Sequence, residues 1–398
     1  MPATEGTELY FTFATSSNDP TSDPVSLWLN GGPGASSVAY GFWTEHGPFR
    51  LSENGTVVEL YEHAWNRLSS MLYIEAPTGV GFSFSANASK YAENTDASAS
   101  LDNYEALLNF FDVFTDFAVQ PVWLTGESYG GHYIPTLAKR VIDGSTTSAD
   151  GASLFKRTEG FLIGNPGINS DWYFNIDEYA FQTFMWSHGL MPHGAYQASV
   201  TACGWESFFT NCSADYTHPS AACKLANDNA LQYVPKTWDP YSILAPTCHE
   251  SGANDRLVSA YTPQLDALRK RHGMDTSYDP CISKQSPIYM NNPAVVEALH
   301  ASKHYNREWP SHPPNWNYGD EKADIALLFP EFFKKAPHWR ILVVSGDADA
   351  AVPFVGTERW IKCLGRPETK KFKNWMMNGD VAGQSKSPLA TENLLENT

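Results

Sequence analysis

The stretch Thr125-Gly126-Glu127-Ser128-Tyr129-Gly130-Gly131-His132-Tyr133-Ile134-Pro135 most narrows what this chain can fold into. The short apolar run Pro121-Val122-Trp123-Leu124 before it predicts a buried strand, and 136–143 after it predicts a helix. Gly-x-Ser-x-Gly between a strand and a helix is a nucleophile elbow. The turn is so sharp that only glycines tolerate the crowding around Ser128, and the hydroxyl is lifted to the top of a parallel sheet.

The rest of the chain supplies that sheet. Leu9 to Phe13 alternates, with Leu9, Phe11 and Phe13 on one face, and predicts a strand. Val25 to Leu29 predicts a second, Met71 to Ala76 a third, Gly160 to Asn165 a fourth and Arg340 to Ser345 a central fifth. Between them, Asp96 to Phe117 carries Leu101, Tyr104, Leu108, Phe111 and Phe114 at helical spacing. Strand, helix, strand, elbow, helix, strand is an α/β order, which implies right-handed crossovers and a mainly parallel sheet. The fold class is therefore α/β, with core segments at 1–166 and 287–383. Residues 167–286 differ in character, being aromatic and polar with clustered cysteines, and predict an inserted cap. Within it, short helices are expected at Glu178 to Ser187 and Leu257 to Arg271. Further helices are expected at Asn292 to Ala301, Lys322 to Phe333 and Gly356 to Leu364, and 384–398 reads as a polar, disordered tail.

Composition excludes several functions. The net charge of −17 argues against nucleic acid or an anionic membrane as partner. No apolar run approaches the roughly 18 residues needed to span a bilayer. The start, Met1-Pro2-Ala3-Thr4-Glu5-Gly6, lacks the basic and apolar regions of a signal peptide. The six cysteines are Cys203, Cys212, Cys223, Cys248, Cys281 and Cys363. No CxxC pair or His doublet accompanies them, so local disulfides are expected and no metal or cofactor. His300 and His304, four apart without the Glu of a zincin, are read as surface helix residues, and Lys370, Lys371 and Lys373 as a solvated face. Sequons at Asn54, Asn87 and Asn211 join the cysteines in favouring a secretory compartment.

A second glycine-rich turn, Asn30-Gly31-Gly32-Pro33-Gly34-Ala35-Ser36-Ser37, follows the strand at Val25. It lacks the Lys and spacing of a Walker loop. Its N–H groups better suit half of an oxyanion hole, the other half coming from the residue after the nucleophile.

Together these residues resemble the serine carboxypeptidase family. Gly126 to Tyr133 is similar to that family's nucleophile motif, and Trp28 to Gly34 to its substrate-carboxylate loop. Glu75 to Ser83, Ile163 to Pro166, Asp279 to Cys281 and Ser345 to Asp349 follow in the family's order, so the resemblance spans about residue 9 to about 383. It implies an α/β-hydrolase fold with a cap and removal of C-terminal residues from peptides or proteins in acid. Ser128 would be the nucleophile and Asp349, rather than Asp347, the triad acid. Gly32 and Tyr129 would supply the oxyanion hole, and Asn30, Gly31, Glu45 and Glu127 would bind the substrate carboxylate. Two carboxyls sharing one site hold a proton in acid, which makes a donor for that carboxylate.

The chain also departs from the family. All twelve histidines precede Asp349, whereas the family's triad order puts the histidine last. His132 lies on the helix leaving the elbow and should point away from the hydroxyl, and His338 is at the wrong end of its strand. The family's final strand and helix are not expected here, which would expose a sheet edge, and the first family strand is missing too. Ala35 stands where the family has a cysteine, so Cys281, or else Cys363, is expected to be unpaired. Truncation at both ends, a catalytically silent carboxylate-binding homologue and an acyltransferase with the same triad are the alternatives.

Overall fold

A computed structural model describes residues 1–168, 176–207, 211–212, 219–234, 238–248, 281–301, 307–319 and 324–387, apart from single positions 5, 53, 246, 369 and 378. The expected helix at Leu257 to Arg271 lies outside the described residues. The chain separates into two compact units. One comprises 1–120, 235–319 and 348–351, and the other 121–234, 320–347 and 352 onward.

In the first unit, strands β1 (Phe11–Ala14), β2 (Val25–Leu29) and β3 (Ser70–Ile74) lie in the order β2-β3-β1. β2 and β3 run parallel with Leu27 opposite Leu72, while β1 is antiparallel to β3 with Phe13 opposite Leu72. Every residue of β2 and β3 is buried, which is why both read as continuous apolar runs rather than alternating ones. Helix α1 (Asp96–Val113) starts at Thr95, whose hydroxyl accepts from the Ser98 N–H while the Ser98 hydroxyl accepts from the Thr95 N–H. Its most deeply buried apolar stripe is Tyr104, Leu107, Phe110 and Phe111. The expected stripe is thus rotated: Leu101, Leu108 and Phe114 are only half-buried. The cause is Phe110, which takes Phe13 and Phe11 of β1 edge-on at 5.0 and 5.9 Å.

In the second unit, β4 (Val122–Glu127) leads into α2 (Gly130–Gly144), then α3 (Ala149–Arg157), β5 (Thr158–Gly164) and α4 (Ile176–Ser187). Helices α5 (His193–Cys203), α6 (Ala221–Leu231) and α7 (Phe329–Lys335) precede β6 (Arg340–Val344) and α8 (Phe354–Cys363). The strand order is β4-β5-β6, all parallel. No further strand pairs with β6 among the described residues, and Leu342 and Val344 are about half exposed at 51% and 47%.

Besides the short strands Thr7–Glu8, Phe49–Leu51, Val58–Leu60 and Phe84–Ser85, two longer strands were not foreseen. β7 (Lys370–Met377) and β8 (Asp380–Ser387) form an antiparallel hairpin, so 384–387 belong to a strand rather than to a polar tail. Three disulfides join Cys203 to Cys223, Cys212 to Cys363 and Cys248 to Cys281. Cys281, expected to be unpaired, and Cys363, the other candidate, are both bonded, and the Cys212–Cys363 bridge spans 151 residues rather than closing a local loop. Such bridges fit a lumenal or extracellular protein. No helix of the described residues is long and apolar enough to cross a membrane.

Candidate active site

Ser128 stands where β4 ends and α2 begins. Its φ is +57°, a left-handed conformation that non-glycine residues rarely adopt and that persists only where surroundings enforce it. The surroundings are backbone. The Ser128 N–H donates to the Gly164 carbonyl at 2.9 Å, and its own carbonyl accepts from Gly131 at 2.9 Å and Gly167 at 3.0 Å. Gly131 permits this approach, since a Cβ there would sit 2.3 Å from the Gly167 oxygen. Glu127 and Ser128 are half-buried and Tyr129 is buried. His132, the histidine nearest in sequence to Ser128, is buried in α2 and stacks on Tyr129 with centroids 4.3 Å apart.

In the first unit, Asn30 follows β2 and is buried. Its Oδ1 accepts from the Trp28 indole at 2.7 Å and the Gly41 N–H at 3.0 Å, which fixes the amide orientation. Nδ2 therefore faces the Glu45 carboxyl, at 2.9 and 3.1 Å from its two oxygens. Val38–Glu45 forms a wide π-type helix, with Phe42 N–H bonded to the Ser37 carbonyl and His46 N–H to the Gly41 carbonyl. Those widened turns bring Glu45 onto Asn30, fifteen positions back in sequence. Gly32 has φ +108°, and a Cβ there would lie 2.6 Å from the Gly34 nitrogen. The Gly31 carbonyl closes the turn by accepting from Ala35 at 3.0 Å.

His46, beside Glu45, was not anticipated as part of this region. It is buried between Trp65, stacked at 4.2 Å, and Trp28, edge-on at 4.1 Å, and its Nδ1 lies 3.1 Å from the Tyr73 hydroxyl. Burial, helped by the nearby Arg50 cation, pushes its pKa down to about 3. The ring is thus neutral, and its 4.0 Å approach to Glu45 Oε2 is not an ion pair.

Glu75 was quoted only as part of a motif, yet it is the fully buried carboxyl of this unit. It accepts from the Ser36 hydroxyl at 2.5 Å, the Phe82 N–H at 2.5 Å and the Trp309 indole at 3.1 Å. Burial raises its pKa to about 7, outweighing those donors and the Arg307 cation. A signal existed in the sequence, namely a carboxylate directly after the apolar run Met71 to Ile74.

Asp349 is buried and Asp347 exposed. The Asp349 carboxylate accepts from the Ala351 N–H at 2.8 Å, and Ala350 and Ala351 both donate to the Pro240 carbonyl. The structure thus joins Asn30 to Glu45 in the first unit and places Glu127, Ser128 and Tyr129 in succession in the second. Among the described residues no group of three or more His, Cys, Asp or Glu could hold a metal ion.

Mainly parallel strands with a strained serine between strand and helix define an α/β-hydrolase. The family model described as serine carboxypeptidase matches residues 1–395, and the chain belongs to that family of hydrolases. Serine carboxypeptidase-like 26 of Arabidopsis thaliana is 34% identical over 379 residues, covering 94% of this chain and 77% of the relative. Serine carboxypeptidase-like 27 of the same plant is 33% identical over 370 residues, covering 92% and 75%. Among solved structures, Kex1(delta)p, a prohormone-processing carboxypeptidase from Saccharomyces cerevisiae, superposes with a TM-score of 0.66 over 96% of this chain and 78% of that one. At 20% identity that match supports the fold alone.

Proposed function

We propose that this chain is a serine-type carboxypeptidase that hydrolyses the C-terminal peptide bond through an acyl-enzyme in acid. The observation that carries the reading is Ser128, held at φ +57° on the turn from β4 to α2. In this reading Ser128 attacks the last peptide carbonyl, and the Gly32 and Tyr129 N–H groups receive the oxyanion. Asn30 and Gly31 donate to the terminal carboxylate, with Glu45 and Glu127 sharing a proton beside it. Asp349 would orient the histidine base of a Ser…Asp…His order, which takes the Ser128 proton and which these 398 residues do not supply. No cofactor is required. The cap at 167–286 would supply the pocket walls, and the exposed sequon asparagines Asn54, Asn87 and Asn211 would carry glycans in a secretory or vacuolar compartment.

One observation favours a second reading. All twelve histidines precede Asp349, so the base of a Ser…Asp…His order has no residue to fill it within these 398. A protein that retains the carboxylate loop without the base would bind peptide C-termini and leave them uncut.

Both readings are tested with one peptide in two forms, free acid and C-terminal amide, between pH 4 and 8. A carboxypeptidase releases the last residue of the acid, labels at Ser128 with a fluorophosphonate, and loses both on Ser128→Ala. A silent binder holds the acid without releasing it and does not label. Equal binding of acid and amide would rule out both. Affinity for the acid should weaken as pH rises, because the proton shared by Glu45 and Glu127 is lost. A binding constant flat from acid to neutral pH would remove that shared proton from the account.

A further inference from the structure

The turn of the glycine loop after β2 is closed by the Ala35 N–H to the Gly31 carbonyl, and by the Ser37 hydroxyl, which accepts from the Asn30 N–H at 3.0 Å. None of the three disulfides touches residues 31–37. A loop expected to hold donors to within a fraction of an ångström therefore needs outside support.

That support comes from residues 307–319 of the same unit. At the apex of the loop, the Gly34 carbonyl lies 2.8 Å from His312 Nε2. A carbonyl only accepts, so His312 carries its proton on Nε2 and donates. The His312 ring is stacked on Trp316 at 4.2 Å, and the Trp316 indole donates to the Thr78 carbonyl at 3.1 Å. Gly34 rests directly on that stack. Its φ is +95°, and a Cβ there would lie 2.6 Å from the Trp316 ring and 3.1 Å from His312 Nε2. Two residues on, the Ser36 hydroxyl donates to Glu75 and accepts from the Ala39 N–H at 2.9 Å. Glu75 is held in turn by the Trp309 indole, while Arg307 donates to the Gly79 and Gly81 carbonyls at 2.9 and 2.7 Å. The loop is thus gripped at Gly34 by His312 and at Ser36 by Glu75.

We propose that His312 and Glu75 are positioning residues that set the 31–36 loop, and with it the Asn30, Gly31 and Gly32 donors, in the geometry that receives a peptide's C-terminal carboxylate and carbonyl. Neither residue needs to touch substrate. His312 fixes the apex through one hydrogen bond and one stacked face, and Glu75 fixes the exit through Ser36. The proposal rests on the carboxypeptidase reading for its substrate, but not for its effect on the loop.

The test separates these two. His312→Phe keeps a flat ring against Trp316 and removes the donor, and His312→Gln restores an N–H that can reach the Gly34 carbonyl. Amide hydrogen exchange is measured on the full chain, together with affinity for the free-acid peptide. His312→Phe should speed exchange at residues 31–37 about tenfold, as expected for the loss of a buried hydrogen bond, with α1 unchanged. It should also weaken acid-peptide binding about fivefold or more, chiefly in KM wherever turnover is seen. His312→Gln should recover most of both. Glu75→Asn, which shortens the side chain away from Ser36, should speed the same amides independently. Unchanged exchange at 31–37 in both His312→Phe and Glu75→Asn overturns the proposal, as does acid-peptide binding at the wild-type value once exchange has risen. If the wild-type chain binds acid and amide alike, the carboxypeptidase reading fails by itself, and the exchange rates alone decide whether the brace exists.

Discussion

Glu75 sets four favourable contacts against complete burial, and burial wins. Its pKa of about 7 compares with 4.5 for an exposed glutamate. Between those values the folded chain holds a proton that the unfolded chain releases. The contribution is therefore fully present below pH 4.5 and lost as pH rises through 7, with a ceiling of about 3 kcal/mol for a gap of about 2.5 units. His46 acts in the opposite sense. Its pKa is depressed to about 3 from 6.5, so its contribution is present above pH 6.5 and lost as pH falls towards 3. Replacing Glu75 by Gln removes the first dependence and leaves the second. The variant should be less stable than wild type at pH 4.5, where an amide N–H faces the Phe82 N–H, and that deficit should shrink by up to about 3 kcal/mol by pH 8. Urea unfolding at pH 4.5, 6 and 8 measures this, and a constant deficit would mean that folding does not raise the Glu75 pKa. The sequence could not show this role, because two of the three donors, Ser36 and Trp309, are 39 and 234 positions away. Ser128 was legible for the converse reason: the chemistry of its turn is written in adjacent glycines.

Among the elements, β2 matched expectation closely because an apolar run bounded by turn residues has few other fates. β6 matched in its bounds but not in its place, since the strand expected to be central ends the strand order, with Leu342 and Val344 half exposed. The hairpin of β7 and β8 did not match, because basic and polar residues interrupt the apolar ones in its sequence and leave no period-two alternation. Its signal was Asn378-Gly379 between two eight-residue stretches, a dipeptide that favours a two-residue hairpin turn. Gly379 indeed has φ +91°. Another glycine carries a sharper prediction. Gly160 in β5 has φ +140°, and a Cβ there would meet the Arg340 carbonyl of β6 at 1.9 Å. Gly160→Ala therefore must either break the register of β5 with β6 or displace the strand, costing on the order of 3 kcal/mol. Gly189, at φ +73° with nothing within 4 Å of the added Cβ, is the control. Gly189→Ala should cost about 1 kcal/mol, from backbone strain alone. Thermal unfolding of the two variants decides the matter: equal costs would show that the close approach of β6 is not what requires glycine at 160.

At the scale of the whole molecule, the path of the chain outruns what composition can reveal. It passes from one unit to the other after residues 120, 234, 319, 347 and 351. The cysteines sit close together in sequence and so suggested local loops, which the Cys203–Cys223 bridge satisfies with a separation of 20. Cys212 instead reaches Cys363, a separation of 151, at the end of α8. That partner could not be found by counting, because six cysteines allow fifteen pairings. The difference in loop length has an energetic consequence. If a disulfide acts mainly by restricting the unfolded chain, the longer loop contributes about 5 kcal/mol and the shorter about 3 kcal/mol. Cys223 is buried while Cys212 is exposed, so alanine at 223 adds a small cavity of about 1 kcal/mol to the cost of losing the shorter bridge. The double variant Cys212→Ala/Cys363→Ala should still be less stable than Cys203→Ala/Cys223→Ala, by about 1 kcal/mol, in urea titrations at one pH. The opposite order would show that packing around Cys223, and not the restriction of a long loop, governs how these bridges stabilise the chain.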